Sequence, residues 1–225
     1  MMGQPGVSRD ATGSRLENPL ASVLIPCRNE EAYIARCLDS ILANDFPHDA
    51  LEILVADGAS EDGTAAILAD YERRFPCLRR IPNPRRTTSA GLNLALSAAR
   101  GDTIIVLGAH AVYPPNYIAD LVRELDRSGA DATGGVCVTQ PGDETATARA
   151  VAIGLSQRFG VGNAHFRVGV AQARWVDTVP FGCYRRSVFD RIGRFDEELV
   201  RNQDDEFNLR LISRGGRIWL VPHVA

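Results

Sequence analysis

Residues 21–31 read Ala-Ser-Val-Leu-Ile-Pro-Cys-Arg-Asn-Glu-Glu, and residues 51–64 read Leu-Glu-Ile-Leu-Val-Ala-Asp-Gly-Ala-Ser-Glu-Asp-Gly-Thr. Each stretch is a short apolar run that ends at once in polar, turn-forming residues. Runs of this kind suit strands buried on both faces of a sheet. A helical pattern follows each one. Ile34, Cys37, Leu38, Ile41 and Leu42 share a face after the first run, and Ile67, Leu68 and Tyr71 after the second. Strand, polar loop and helix repeated in this order predict a mostly parallel sheet with right-handed crossovers. Ligands bind such sheets outside the carboxyl ends of the strands, where Pro26 to Glu31 and Asp57 to Thr64 fall.

The alternation continues down the chain. A weak strand near Leu78 to Ile81 leads to the loop Pro82-Asn83-Pro84-Arg85-Arg86, a helix of about Ser89 to Ala99, and a strand from Thr103 to Leu107. Beyond His110 the pattern predicts a helix over about Asn116 to Arg127, a strand over Ala130 to Thr139 and a helix over 144–158. Residues 159–170 are Gly-rich without a clear period, as in binding loops and lids. Asp204, Asp205 and Glu206 then open a segment whose Phe207, Leu211 and Ile212 recur at helical spacing. Gly215 and Gly216 stop that helix, and a strand follows from Ile218 to Val221. Carboxylates at a helix start feel the positive end of the dipole, which favours their ionised form. One of them held there can take a proton from an alcohol. Glu206 is spaced to pair with Arg210.

Composition narrows the class. A chain of 225 residues, 45% hydrophobic and 24% charged, suits one α/β domain, and no linker divides it. The net charge of −3 and the scattered arginines give no case for nucleic acid. Five cysteines without a C-x-x-C pair fit reduced thiols in a cytosolic protein. The first twenty residues are polar and lack a signal-peptide core, so 1–20 reads as a disordered leader. No run approaches the ~20 apolar residues of a membrane span.

Pro26-x-x-Asn29-Glu30, Asp57-Gly58-x-Ser60-x-Asp62-Gly63-Thr64 and the late acid cluster together resemble family 2 glycosyltransferases of the GT-A fold. Asn83 to Arg86 before Ser89-Ala90-Gly91-Leu92-Asn93, Trp175 to Gly182, Arg185-Arg186 and Ile192 to Glu197 are similar to its branch of succinoglycan-type glucosyltransferases. The resemblance covers nearly all of residues 21–225. It implies a single GT-A domain, a Rossmann-like, mostly parallel sheet with helices on both faces. It also implies an inverting transfer of sugar from a nucleotide-diphosphate donor to a hydroxyl of a glycan or lipid-linked acceptor. The expected setting is exopolysaccharide or cell-envelope synthesis, in the cytoplasm and peripheral to the inner face of the membrane.

Residue by residue, the resemblance sets Pro26, Arg28 and Glu30 against the nucleoside. Asp57 meets the base, with Ser60 in the same loop, and Arg86 reaches the diphosphate. An acceptor-only carboxylate suits the ring N–H of uracil, which favours a UDP-sugar. Asp204 is the general base, with Asp205 as the second candidate. Gly108-Ala109-His110 departs from the family, whose members carry Asp-x-Asp there. The first acid touches the ribose and the last holds a divalent metal. Gly108 keeps its place in the nucleotide site, and His110 is either a metal ligand or a partner of phosphate or backbone. The implied cofactor is Mn²⁺ or Mg²⁺, of which imidazole suits Mn²⁺ better. Loss of the acid at 108 motivates an alternative, a non-catalytic sugar-nucleotide-binding subunit with a decayed metal site. Retention of Asp204 argues against it. No G-x-G-x-x-G follows the first strand, which disfavours a dinucleotide dehydrogenase. Relatives continue beyond the position of Ala225, so a C-terminally truncated or shorter member is expected, with His223 an ordinary strand-end residue.

Overall fold

The two apolar runs are strands β1 (Ala21–Cys27) and β2 (Leu51–Asp57), paired in parallel from Ala21↔Leu51 to Cys27↔Asp57. They belong to a computed structural model that describes residues 20–224, so the leader expected over 1–20 lies, apart from Leu20, outside the described residues. Helix α1 (Ile34–Leu42) follows β1 and α2 (Thr64–Arg74) follows β2. Next come β3 (Leu78–Pro82), α3 (Thr88–Ala98), β4 (Thr103–Val106), α4 (Tyr117–Ser128) and β5 (Ala132–Gly134). The remainder comprises α5 (Ala146–Leu155), the single turns α6 (Arg158–Val161) and α7 (His165–Val168), β6 (Arg174–Val176), β7 (Cys183–Arg185), α8 (Arg186–Ile192), α9 (Gln203–Ser213) and β8 (Ile218–Leu220).

The eight strands form one sheet in the order β3-β2-β1-β4-β7-β5-β8-β6. β1 runs parallel to both β2 and β4, and β3 is parallel to β2. β7 is antiparallel to β4 and β5, and β6 is an antiparallel edge on β8. The sheet is thus mostly parallel, as the alternating pattern predicts. Strand order reverses between β1 and β4, which opens a crevice at their carboxyl ends.

Both faces of the central strands are covered, which explains why their sequences are apolar without alternation. Val23, Ile25, Ile53 and Val55 point to one core with Ile34, Leu38, Leu68 and Leu121 from α1, α2 and α4. Leu24, Leu54 and Ile104 point to the other, against Leu92 of α3, Phe189 of α8 and Phe207 and Leu211 of α9. Burying each of these side chains contributes about 1.5–3 kcal/mol. The second core fastens α9, and with it the acid cluster, to the sheet.

Three expectations change in the back half. The strand read over 130–139 ends at Gly134, because the chain leaves the sheet there. Val136 N–H donates to Val224 O and Cys137 N–H to Phe166 O. A Cβ on Gly135 would stand 2.4 Å from the Val224 carbonyl, so only glycine permits this approach. The helix read over 144–158 shortens to α5, where the Thr145 hydroxyl accepts from Ala148 N–H at 3.1 Å. Residues 159–170, without a period in sequence, contain α7 and most of α6.

Candidate functional site

Loops after β1 and β2 are zipped together by their own polar residues. Asn29 N–H donates to Ser60 Oγ (3.0 Å), Glu30 N–H to Thr64 Oγ1 (2.8 Å), and Glu61 N–H to Asn29 Oδ1 (2.8 Å). Asp62 accepts from Glu31 N–H (3.2 Å) and Thr64 N–H (3.0 Å), which ties the first loop to the start of α2. Asp57 accepts from both the amide (3.1 Å) and hydroxyl (2.7 Å) of Ser60. These bonds explain the turn residues that the sequence shows at this place.

At the crevice between β1 and β4 lies a cavity of about 300 Å³, within the range of small-ligand sites. It brings together Pro26, Arg28, Glu30, Arg86, Gly108, His110 and Asp204. Asp57, Ser60 and Asp205 are not among its lining residues. Asp57 is only 9% exposed and engaged by Ser60, while Asp205 accepts from the Thr178 hydroxyl at 2.9 Å.

Five described non-glycine residues have positive φ: Asn29 (53°), Ala59 (54°), Arg86 (60°), Phe181 (50°) and Asn202 (59°). Each such residue costs on the order of 1–3 kcal/mol, and such strain concentrates at functional sites. Here Arg86 and Phe181 line the cavity, and Asn29 and Asn202 adjoin residues that do. The sequence gives no sign of this geometry.

Two arginines of the cavity lining, Arg28 and Arg86, share one partner. Arg86 Nη1 donates to Glu61 Oε1 at 3.3 Å, and Arg28 Nη2 lies 3.7 Å from the same oxygen. One carboxylate thus holds two guanidinium groups, whose forks suit phosphate oxygens. Arg85, which is exposed, pairs with Glu197. Asn93 and Ser89 do not reach the cavity's donor side. Asn93 Nδ2 donates to Phe195 O and Glu197 Oε1 (both 2.9 Å), and the Ser89 hydroxyl to Leu199 O (3.0 Å). Their work is to hold the segment that leads into α9.

Asp204, in the first turn of α9, lines the same cavity. Burial pushes its carboxyl above the usual range, and Asp205 beside it adds to the rise. Amides at the helix start and Arg167 pull the other way without reversing the shift. The dipole argument from sequence therefore names a real but smaller effect. A carboxylate raised in this way is a stronger base than one in water. Glu206 pairs with Arg210 through two bonds of 2.8 and 2.5 Å, as its spacing predicts. Helix α9 is fixed by a buried chain. Tyr184 Oη donates to Asn208 Oδ1 (2.9 Å), and Asn208 Nδ2 to Thr178 Oγ1 (3.0 Å) and Val179 O (2.9 Å). Asn208 and Thr178 are positioning residues that sequence reasoning missed, since an Asn inside a helix gives no signal of its partner.

The departure at residue 108 has a partner in space. A Cβ on Gly108 would stand 2.7 Å from Phe181 Cε1, so the ring fills the room that an acid would need. Gly108→Asp is therefore expected to destabilise the fold by about 1–3 kcal/mol through overpacking. Urea unfolding measures it, and Phe181→Ala in the same chain should restore most of the loss. An unchanged midpoint in Gly108→Asp contradicts this steric account.

His110 lies 3.1 Å from a Glu30 carboxylate oxygen through Nδ1, with Tyr33 edge-on at 6.0 Å. A carboxylate behind Nδ1 fixes the tautomer that leaves Nε2 free for a ligand. Among the described residues no three His, Cys, Asp or Glu side chains gather as a metal cage. The donor set therefore fits a cation only through His110, with phosphate and water supplying the rest. Of the cysteines, Cys27 lines the cavity. All five are free, and burial with Glu30 and Asp57 nearby pushes Cys27 up to about 12, which keeps it a thiol.

A crevice at the β1/β4 reversal of an α/β sheet thus holds two arginines and a half-buried carboxylate in one cavity. The chain belongs to glycosyl transferase family 2, whose profile matches residues 22–193. It is 29% identical over 212 residues to the succinoglycan biosynthesis protein ExoA of Rhizobium meliloti (strain 1021), covering 93% of this chain and 63% of that protein. It is 26% identical over 211 residues to a dolichyl N-acetyl-alpha-D-glucosaminyl phosphate diacetamido-dideoxy-glucuronosyltransferase of Methanococcus voltae, covering 90% and 64%. The chain thus spans a little under two thirds of the length of these relatives. Among solved structures, S. aureus TarS 1-349 in complex with UDP-GlcNAc is similar at a TM-score of 0.72 and 21% identity, over 91% of this chain and 56% of that one. The mannosyltransferase PcManGT from Pyrobaculum calidifontis, in complex with GDP-Man and Mn²⁺, is similar at 0.67 and 24%, over 97% and 60%. Both likenesses show the GT-A fold. Among the described residues no helix is long and apolar enough to cross a membrane.

Proposed function

We propose that this chain is the catalytic domain of an inverting glycosyltransferase that moves a sugar from a nucleotide-diphosphate donor to a hydroxyl of a glycan or lipid-linked acceptor. The observation that carries it is that Arg28, Arg86 and a half-buried Asp204 line one cavity. Asp204 takes the proton of the acceptor hydroxyl. The freed oxygen attacks the anomeric carbon, the bond from that carbon to the phosphate oxygen breaks, and the nucleoside diphosphate leaves. Arg28 and Arg86 exchange Glu61 for the leaving charge. Pro26 and Glu30 line the nucleoside end, with Asp57 and Ser60 shaping the adjoining loop. The names of the relatives favour polysaccharide or glycoconjugate synthesis. Asp204 in the cavity wall disfavours the non-catalytic alternative.

When bound, Mn²⁺ at His110 would neutralise diphosphate charge; a Mg²⁺ ion would find imidazole a poor ligand. Nucleotide affinity is then expected to rise with Mn²⁺. His110→Ala should abolish the response. Calorimetric affinity unchanged by chelation and by Mn²⁺ removes the metal role and leaves the arginines alone with the diphosphate. The function itself is tested by thermal shift with UDP-, GDP- and TDP-sugars, followed by transfer of labelled sugar from whichever donor stabilises the protein. A wild-type chain that binds a donor and transfers nothing to any acceptor extract overturns the reading.

A further inference from the structure

A second concavity, a groove of about 780 Å³, lies at the sheet edge farthest from β3, between β6 and the segment 158–173. Its lining holds Arg158 and Arg174 beside His165, with no carboxylate among them, in a chain of net charge −3. Among the described residues neither Arg158 nor Arg174 has an ion-pair partner for its guanidinium. Their companions in the wall are Trp175 and Trp219, cross-strand partners with ring centroids 4.6 Å apart. Trp175 keeps 44% of its surface exposed although Arg217 lies over its ring at 4.6 Å. The indole N–H of Trp219 is buried without an acceptor, an orphan donor of the kind that asks for an explanation. Unpaired guanidinium forks beside exposed indole form a surface for a flat, partly apolar molecule carrying an anion.

The groove is linked to the reacting end of the cavity. Three residues on in sequence from Trp175, just past the end of β6, Thr178 donates to Asp205. Arg167, within the segment that walls the groove, is close enough to Asp204 to favour its charged form. We infer that this groove is an acceptor subsite that takes a saccharide bearing a phosphate or a carboxylate, with Arg158 and Arg174 on the anion and Trp175 against the ring. The inference rests on the glycosyltransferase reading and adds the charge class of its acceptor. The anion holds the saccharide while a hydroxyl farther along it reaches Asp204.

The test uses the full chain and three probes: glucose 1-phosphate, glucuronic acid and neutral glucose, titrated by NMR at low salt. One or both charged sugars should bind at least tenfold more tightly than glucose, and the two arms tell phosphate from carboxylate. Arg158→Ala/Arg174→Ala should remove that binding, whereas Arg86→Ala in the donor cavity should keep it. Nucleotide affinity should be unchanged in the groove variant. Equal binding of glucose and the charged sugars, or charged-sugar binding that survives the double substitution, overturns the inference. Loss of all nucleotide binding and transfer in the wild type sinks the glycosyltransferase reading instead, so the two failures are distinguishable.

Discussion

Asp204→Asn is expected to lower sugar transfer by ~10²–10⁴-fold, the usual worth of a general base, while nucleotide affinity stays near the wild-type value. Asn keeps the size and hydrogen-bonding shape of the side chain and removes its capacity to accept a proton. Asp205→Asn should cost far less. One residue on, the helix has turned by about 100°, and the Asp205 carboxylate is engaged by Thr178 outside the cavity. The pH profile of the wild type adds an independent measure. Transfer needs the ionised base, so the rate falls as pH drops through the Asp204 pKa. Burial has moved that pKa upward, so the acid limb should lie above the ordinary carboxylate value, and Asp204→Asn should lose that limb. Labelled-sugar transfer and calorimetry on both variants decide it. Wild-type transfer by Asp204→Asn removes the base assignment.

How far the sequence could lead is seen at particular residues. Val23 to Ile25 and Ile53 to Val55 are apolar at successive positions because helices cover both faces, and that pattern alone predicts the parallel half of the sheet. The loops after β1 and β2 are legible from their turn residues, although Asp57 and Ser60 bond each other and stand outside the cavity lining. Pairings across long separations were not. Nothing in the chain says that Phe181 takes the space beside Gly108, that Glu61 holds Arg28 and Arg86, or that Asn208 bonds Thr178. Each depends on two segments meeting after folding. The sign of the Asp204 shift was missed for a related reason. A dipole is local and readable from sequence, while burial depends on what the whole chain places around the group.

The second large effect concerns the diphosphate. Arg86→Ala is expected to weaken binding of a nucleoside diphosphate by about 10–100-fold, since hydrogen bonds to charged groups are worth roughly 1.5–3 kcal/mol. Binding of the bare nucleoside should not change, which separates lost phosphate contact from a damaged loop. That control matters because Arg86 sits at φ 60° and its loop follows β3 directly. Arg28→Ala should act in the same direction, since Arg28 approaches the same oxygen of Glu61. Glu61→Gln should act in reverse. In the free protein its carboxylate holds both guanidinium groups, and a donor must displace it before they can turn to phosphate. Neutralising it removes that competition, so affinity for the diphosphate should rise. The gain should be modest, because an exposed ion pair is worth about 0–1 kcal/mol. Calorimetry with UDP and uridine on the three variants gives each sign separately. Equal loss of UDP and uridine in Arg86→Ala assigns Arg86 to loop structure, and weaker UDP binding in Glu61→Gln removes the carboxylate from its competing role.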